Sequence, residues 1–334
     1  MGRVLITGGT GFVGRHLASF LKPRTSRLAV LASSGCGDLR EIECYEVDVC
    51  DSDDVRAAIH DFRPDHIYHL AAISSVELSW KSPRLTYEVN VLGTLNVLET
   101  AMNLPAPPRI LNVSTAQVYA PSASALSEDS ALGPDNPYAA SKAMAEFLRV
   151  QYQKHIGGGI VTARSFNHAG PGQSPGFVLS SIAKQFAEIE AGTREPNLVV
   201  GNIHVKRDFT DVRDVIQAYC LLLEKGNVNE VYNVCSGRSW SIAQIINEFE
   251  SASGIKVAIE THPDKHRAGE IRVVCGNPAR IRATGWEPCI PLETTVRDLL
   301  SYWRLSVREQ SDTQKRSDVE TSKDRMRSTP LSTP

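Results

Sequence analysis

Arg3-Val4-Leu5-Ile6-Thr7-Gly8-Gly9-Thr10-Gly11-Phe12-Val13-Gly14 decides the fold. Its first five residues are a short apolar run, which reads as a buried parallel strand. Gly8, Gly11 and Gly14 follow in a G-x-x-G-x-x-G spacing, and an amphipathic segment then continues to about Leu21. The order is strand, glycine turn, helix. Glycine here lets the backbone turn sharply. It also lets a pyrophosphate approach the helix N-terminus, where unbonded N–H groups point outward. A glycine turn alone does not identify a dinucleotide site; its place at the head of an alternating strand–helix chain makes the reading specific.

That alternation is present. Leu28–Leu31, Glu43–Val47, His66–Leu70, Arg109–Val113 and Ile160–Arg164 read as further strands, with helical stretches between them. The fold expected is α/β, a doubly wound parallel Rossmann sheet. In such sites a carboxylate after the second strand favours NAD. Here that position reads Ala32-Ser33-Ser34, which leaves room for a 2′-phosphate, and Arg15 on the first helix could counter its charge. This leans toward NADP(H), with NAD(H) still open; Arg15 could also be simply solvated. Asp48, followed by Val49, could bind the adenine amino group or cap the next helix. The small residues Ala71 and Ala72 would let a cofactor lie close to the backbone. His66 and His69 read as strand residues rather than metal ligands, since no partner has matching spacing.

A long helix is expected from Pro83 to about Met102, containing Asn90. Ser114-Thr115 closes the fifth strand and should face the crevice where ligands bind. A second helix starts after Asn136-Pro137, with Asp135 or Asn136 available as its cap. Its first residues are Tyr138-Ala139-Ala140-Ser141-Lys142. Four residues is just over one turn, so Tyr138 and Lys142 share a face. A phenol beside an ammonium is a candidate proton donor.

After Gly172 the rhythm changes. A helix from about Phe177 to Ala191, an apolar run Leu198–Asn202, a polar turn Lys206-Arg207-Asp208, a helix Asp211–Lys225 and a strand Val231–Val234 are expected. The organisation expected is a dinucleotide-binding domain over 1–172, with a returning strand near 229–236. A smaller mixed α/β substrate lobe should occupy most of 173–305. The Ser/Thr- and charge-rich stretch 306–334 should be a disordered tail.

The chain has 334 residues and a formal net charge of -2. No basic block suggests nucleic acid. No charged leader with an apolar stretch is evident, and no apolar run approaches the ~20 residues that span a bilayer. The seven cysteines lack a C-x-x-C pair and read as reduced thiols, with Cys235 in the core. A cytoplasmic protein, no nucleic-acid or membrane partner and no metal are expected.

Together these pieces resemble the extended short-chain dehydrogenase/reductase family, over roughly Arg3 to Trp303. The matching residues are Gly8, Gly11, Gly14, Asp48-Val49, Asn90, Ser114-Thr115, Tyr138-x-x-x-Lys142 and Arg164-x-Phe166-Asn167. Val200–Phe209 and Asn167–Ser174, followed by Gly176-Phe177-Val178, are similar to the GDP-sugar branch; Arg207–Asp214 and Asn233–Gly237 look most like its reductases.

The resemblance implies Tyr138 as acid/base and Lys142 as ligand of the nicotinamide ribose that lowers the tyrosine pKa. Thr115 would hydrogen-bond the substrate oxygen. Gly8, Gly11, Phe12, Val13, Gly14, Ser33, Asp48, Val49, Ala71, Ala72 and Asn90 would complete the cofactor site. Gln117, Asn167, Val178, Lys184, Asn202, Arg207, Arg267 and Glu270 are candidates for the GDP-sugar. His168 could be catalytic but reads rather as a packed polar residue. Position 117 separates the reactions. A dehydratase of this family carries a glutamate there and an epimerase–reductase a cysteine, whereas an amide takes no proton at neutral pH. Tyr119 or Glu128 could in principle replace the missing base.

The reading is an NAD(P)H-dependent reductase that takes a GDP-4-keto-6-deoxyhexose to GDP-D-rhamnose, acting as a homodimer through the helices from Pro83 and Tyr138. The alternatives are a GDP-mannose 4,6-dehydratase, a nucleotide-sugar 4-epimerase, or a dinucleotide-sensing binding protein without turnover.

Overall fold

The computed structural model describes residues 1–37, 39, 41–156, 159–261 and 273–327, with side chains described outside 153–156 and 311–327. In chain order the elements are β1 (Arg3–Thr7), α1 (Phe12–Leu21), β2 (Arg27–Ala32), β3 (Glu43–Glu46), α2 (Ser52–Phe62) and β4 (His66–His69). Next come α3 (Val76–Lys81), α4 (Pro83–Tyr87), a π turn (Glu88–Leu92), α5 (Gly93–Met102), β5 (Arg109–Thr115), α6 (Pro137–Ile156), β6 (Ile160–Ser165) and β7 (Asn167–Ala169). The remainder is α7 (Val178–Glu190), β8 (Asn197–Val200), β9 (Lys206–Asp211), α8 (Val212–Lys225), β10 (Val231–Val234) and β11 (Ser239–Ser241), then α9 (Ile242–Ser253), β12 (Ala258–Thr261), β13 (Val273–Val274), α10 (Ala279–Arg282) and α11 (Leu292–Arg327).

Seven strands form one sheet in the order β10-β6-β5-β4-β1-β2-β3, and every neighbouring pair in it is parallel. Alternate residues of β1 explain the two covered faces. Val4 and Ile6 join Leu17 and Leu21 of α1 and Val215, Ile216 and Tyr219 of α8 in one buried cluster. Leu5 joins Ile59 and Phe62 of α2 and Val97 and Leu98 of α5 in the other. A sheet buried on both faces needs apolar residues at both parities, hence the nearly continuous apolar strands. The chain reverses its direction across the sheet between β1 and β4, and ligands bind beyond the strand carboxyl ends at such a point. The doubly wound sheet is as expected, and β10 is the strand that returns to it.

The chain divides into two compact units, so far as it is described. The first holds Met1–Ala169, His204–Ile242 and Gly269–Leu292; the second holds Gly170–Ile203, Ala243–Ala268 and Glu293–Pro334. His204–Ile242 thus belongs with the first unit. Within the second unit β8 pairs with β12, Phe186 stacks on Phe249 at 5.6 Å, and the Trp303 indole donates to Ser180 Oγ at 3.0 Å.

Three expectations differ from the structure. The polar stretch Lys206-Arg207-Asp208 is no turn but the start of β9, which pairs with β7, β11 and β13. It can be a strand because Asp208, 1% exposed, accepts hydrogen bonds from the backbone N–H groups of Ser236, Gly237 and Gly276 and from the Ser236 hydroxyl. Satisfied in this way, a buried carboxylate is tolerable. The expected tail is helical from Ser306 to Arg327 as part of α11. Val307 there is buried, and no proline or glycine interrupts the run before Pro330, so helix propensity carries it on. Cys36 and Cys44 are not separate thiols but form a disulfide, with Cα atoms 6.1 Å apart; β3 beside β2 brings Cys44 under the loop that holds Cys36. Cys235 is fully buried.

Candidate active site

The glycine turn sits at the strand reversal. Gly8 has φ +68°, and a Cβ there would stand 2.9 Å from the Ala71 backbone beyond β4. A Cβ on Gly14 would stand 2.3 Å from the Gly8 carbonyl oxygen and 2.7 Å from Gly9. Side chains at these positions would push α1 off the strand end. Gly11 is the N-cap of α1 and offers no side-chain cap, so the first N–H groups of the helix, from Phe12 and Val13 onward, face outward as an anion site. The backbone cradle fits the pyrophosphate of a dinucleotide. Ser33 and Ser34 are exposed beyond β2, and Arg15 lies on the same side, 3.7 Å from where a Gly37 Cβ would be, with Nε donating to the Thr10 carbonyl at 2.8 Å.

The helix α6 starts as its sequence dictates. Pro137 occupies its first position, where the missing N–H costs nothing, and Asn136 caps it by accepting from the Ala139 N–H at 2.9 Å. Tyr138 and Lys142 are both buried, as is Thr115 at the end of β5. The Thr115 hydroxyl accepts from the Gln117 N–H at 3.3 Å and lies near enough to the Tyr138 phenol to influence its titration. Burial pushes the phenol pKa up, opposed by the Thr115 hydroxyl. Tyr138 is therefore a protonated acid at neutral pH. Burial likewise pulls the Lys142 ammonium down to about 8, with Glu146 acting to raise it.

A polar row supports these groups. Thr7, His69 and Asn112 are register neighbours across β1, β4 and β5. His69 bridges the Thr7 hydroxyl at 2.8 Å and the Thr94 hydroxyl at 2.9 Å, and burial with Lys142 nearby holds its pKa down at about 3. It is a neutral strut. Among the described residues no group of acidic, histidine or cysteine side chains could hold a metal ion. Asn90 stands in the π turn, an irregularity that re-aims a side chain. It is fully buried, and its amide clamps the Ile73 backbone at 2.8 and 3.0 Å and the Ser141 hydroxyl at 2.9 Å. It thus acts on the crevice through the loop after β4 and through α6.

Gln117 is exposed just beyond Thr115, and its side-chain oxygen accepts from Asn136 at 3.3 Å. Neither substitute base is available. The Tyr119 hydroxyl donates to Asn233 at 2.6 Å, and burial pushes its pKa up to about 12. Glu128 accepts from the Asn233 N–H at 2.8 Å and lies 3.7 Å from Arg280. The His168 ring stacks on Phe12 at 6.2 Å and contacts the Phe166 carbonyl at 3.0 Å, with its pKa lowered by burial. It is a packed residue beside the glycine turn.

A hydroxyl, a phenol and a lysine at one strand end, facing a dinucleotide cradle, raise the question of relatives. The family model for GDP-mannose 4,6 dehydratase matches residues 5–299. The chain belongs to that family. Its members are extended short-chain dehydrogenase/reductases, as the motifs implied. A GDP-6-deoxy-D-mannose reductase from Pseudomonas aeruginosa is 36% identical over 92% of this chain and 99% of its own. The structure of RMD from Pseudomonas aeruginosa complexed with NADPH covers 92% of this chain and 100% of that one, at 34% identity and TM-score 0.81. The Thermus thermophilus UDP-glucose 4-epimerase complex with NAD covers 90% and 99%, at 29% identity and TM-score 0.80.

Asp48 does not cap α2; Asp51 does, accepting from Asp53 and Asp54. Asp48 is left exposed with one oxygen accepting from Cys50. Val49 packs against Gly93, where a Cβ would stand 2.7 Å away. Asn167 is exposed on β7, and Arg207 half-buried on β9; the Asp208 carboxylate is engaged elsewhere, as described above. In the second unit Val178 opens α7, and the Lys184 ammonium lies 3.6 Å from Glu188 and 5.6 Å from the Trp303 ring. Asn202 follows β8 and is half-buried. Arg267 and Glu270 lie outside the described residues. Glu146, Ser141 and His69 had no expected role in the site. For Glu146 the available signal was its spacing, one further turn along the Tyr138–Lys142 face.

Proposed function

We propose that the chain reduces the C4 ketone of GDP-4-keto-6-deoxy-D-mannose to GDP-D-rhamnose, using NADPH in preference to NADH. The observation that carries this reading is the Thr115–Tyr138–Lys142 set beside a Gln117 that cannot take a proton, with Tyr119 and Glu128 both engaged. Elimination of the C6 hydroxyl needs a base for the C5 proton, and ketone reduction needs only an acid. A bound reduced nicotinamide supplies hydride to the carbonyl carbon. Tyr138 gives its proton to the developing alkoxide. Thr115, near the phenol, orients and stabilises that oxygen. Lys142 carries positive charge on the same helical face as the phenol and would bind the nicotinamide ribose. The exposed Ser33 and Ser34, with Arg15 near, support the choice of NADPH.

Arg207 and Asn167 are proposed for the guanosine diphosphate, since arginine suits bidentate phosphate contact. Val178, Lys184, Asn202, Arg267 and Glu270 are assigned to it by resemblance alone. The test is to supply enzymatically generated GDP-4-keto-6-deoxy-D-mannose with NADPH and identify the sugar product. Cofactor oxidation with a 4-hydroxy-6-deoxyhexose product is expected. Conversion of GDP-mannose alone by protein that purifies with bound oxidised cofactor would instead make it a dehydratase.

The working form is proposed to be a homodimer. Trp80 on α3 and Phe147 on α6 are 62% and 63% exposed, and Leu85, Leu92 and Met144 are exposed on the same helical layer. An apolar face of this kind marks an interface. Phe147→Asp is expected to sediment as a monomer where the parent sediments as a dimer; an unchanged dimer would place the interface elsewhere.

A further inference from the structure

We propose that Glu146 is a positioning residue for proton transfer, locking the Thr115 end of β5 to the face of α6 that carries Tyr138 and Lys142. Tyr138, Lys142 and Glu146 follow one another at four-residue spacing, so they line one face of the helix. Glu146 and Arg164 are both buried, each 5% exposed. They meet as a bidentate pair, with Arg164 Nη2 donating to Oε2 at 2.7 Å and Nε to Oε1 at 3.0 Å. The Ser114 hydroxyl, one residue before Thr115, donates to the same Oε1. Arg164 also donates to the Glu128 carbonyl at 3.2 Å and lies 4.8 Å over the Tyr119 ring. The carboxylate thus ties α6 to the end of β5 and to β6, and Arg164 extends the tie to the loop after Thr115.

Stability alone does not require this arrangement. A buried ion pair can be replaced by well-packed apolar residues of similar volume at little or no loss. What an apolar pair could not supply is direction and charge. A shift of one ångström between phenol and hydroxyl is costly for proton transfer, and the bond from Ser114 limits that shift. The charge acts on Lys142. From α6 Glu146 acts to raise the Lys142 pKa against burial; from β4 it faces His69, which stays neutral. Glu146 itself faces Arg164 from β6, Arg149 from its own helix and Tyr119 from the loop after β5.

Two variants separate this from a purely structural role. Glu146→Gln removes the charge and leaves Arg164 unpaired in the core, which can unfold the chain. The double change Glu146→Met with Arg164→Met removes both charges and keeps the volume. Turnover with NADPH and the keto-sugar is followed across pH, an arm that rests on the reductase reading. Independently, the cofactor-free protein is labelled with trace acetic anhydride across pH, and the Lys142 peptide is quantified by mass spectrometry. The folded double variant is expected to bind NADPH like the parent. Its kcat should fall about tenfold or more, and the Lys142 midpoint should drop by about one pH unit. The loss should be greater at pH 8 than at pH 6. A parent without turnover sinks the reductase reading and leaves the labelling arm to decide. A double variant with parental kcat and Lys142 midpoint, or with a loss equal at all pH, overturns the proposal. So does one that does not fold, because the pair then serves the fold itself.

Discussion

Tyr138→Phe is expected to lower kcat by roughly 10²- to 10⁴-fold, the contribution of a positioned general acid. NADPH affinity should stay within a few-fold of the parent's. The phenol is 8% exposed and its pKa is raised by burial. It therefore holds its proton at neutral pH until an alkoxide forms close by. Phenylalanine keeps the ring that fills the same space and removes only the hydroxyl. The hydroxyl is neutral, so its loss should cost no more than about 1 kcal/mol of stability. Steady-state turnover and a fluorescence titration of NADPH separate the two effects. A variant that turns over at nearly the parent's rate would remove Tyr138 from the chemistry; one that no longer binds NADPH would make it a cofactor ligand first.

Lys142→Met is expected to do two opposite things: abolish most of the turnover and raise stability at pH 7. Burial pulls the ammonium from its usual 10.5 to about 8, so the folded state holds this proton less tightly than the unfolded chain. Between pH 8 and 10.5 the unfolded state binds more protons, and stability from this group rises with pH. The contribution is fully present above about 10.5 and is lost as pH falls through 8. At pH 7 the charged side chain therefore costs on the order of 3 kcal/mol, one pKa unit being 1.36 kcal/mol. Methionine removes the charge and fills similar space. Denaturant unfolding should show the variant more stable than the parent at pH 7 and converging toward it near pH 10.5. In the parent the same titration should give kcat/KM for NADPH an alkaline limb near pH 8. A variant less stable at every pH would mean that Lys142 is held by bonds stronger than its burial cost.

The sheet was legible because its signals are local and repeated. The central strands carry apolar runs that end in a small or polar residue at the crevice, as in Thr7-Gly8, His69-Leu70-Ala71 and Ser114-Thr115. The glycine turn was legible because the close approaches at Gly8 and Gly14 exclude every other residue there. Tyr138 and Lys142 were legible from helical spacing.

The rest depends on pairings that no local pattern encodes. Lys206-Arg207-Asp208 reads as a polar turn until Ser236, Gly237 and Gly276 arrive from distant segments to bond Asp208. Asn90 is a plain helix residue in sequence; the π turn and its contacts to Ile73 and Ser141 make it a clamp. Glu146 reads as a solvated charge on a helix, and only the register that sets Ser114 beside Arg164 buries it. Burial of the Tyr138 phenol, which raises its pKa, cannot be read from a four-residue spacing. The polar, proline-free run after Ser306 has the composition of a disordered tail, yet it offers nothing to stop a helix that starts at Leu292.

The most direct test of the account is the product formed from GDP-4-keto-6-deoxy-D-mannose and NADPH, resolved at C4 by NMR. The structure of the site predicts one equivalent of NADPH oxidised per GDP-D-rhamnose formed, with GDP-mannose left untouched. Turnover of GDP-mannose without added cofactor, or binding of NADPH with no oxidation on the keto-sugar, would contradict it.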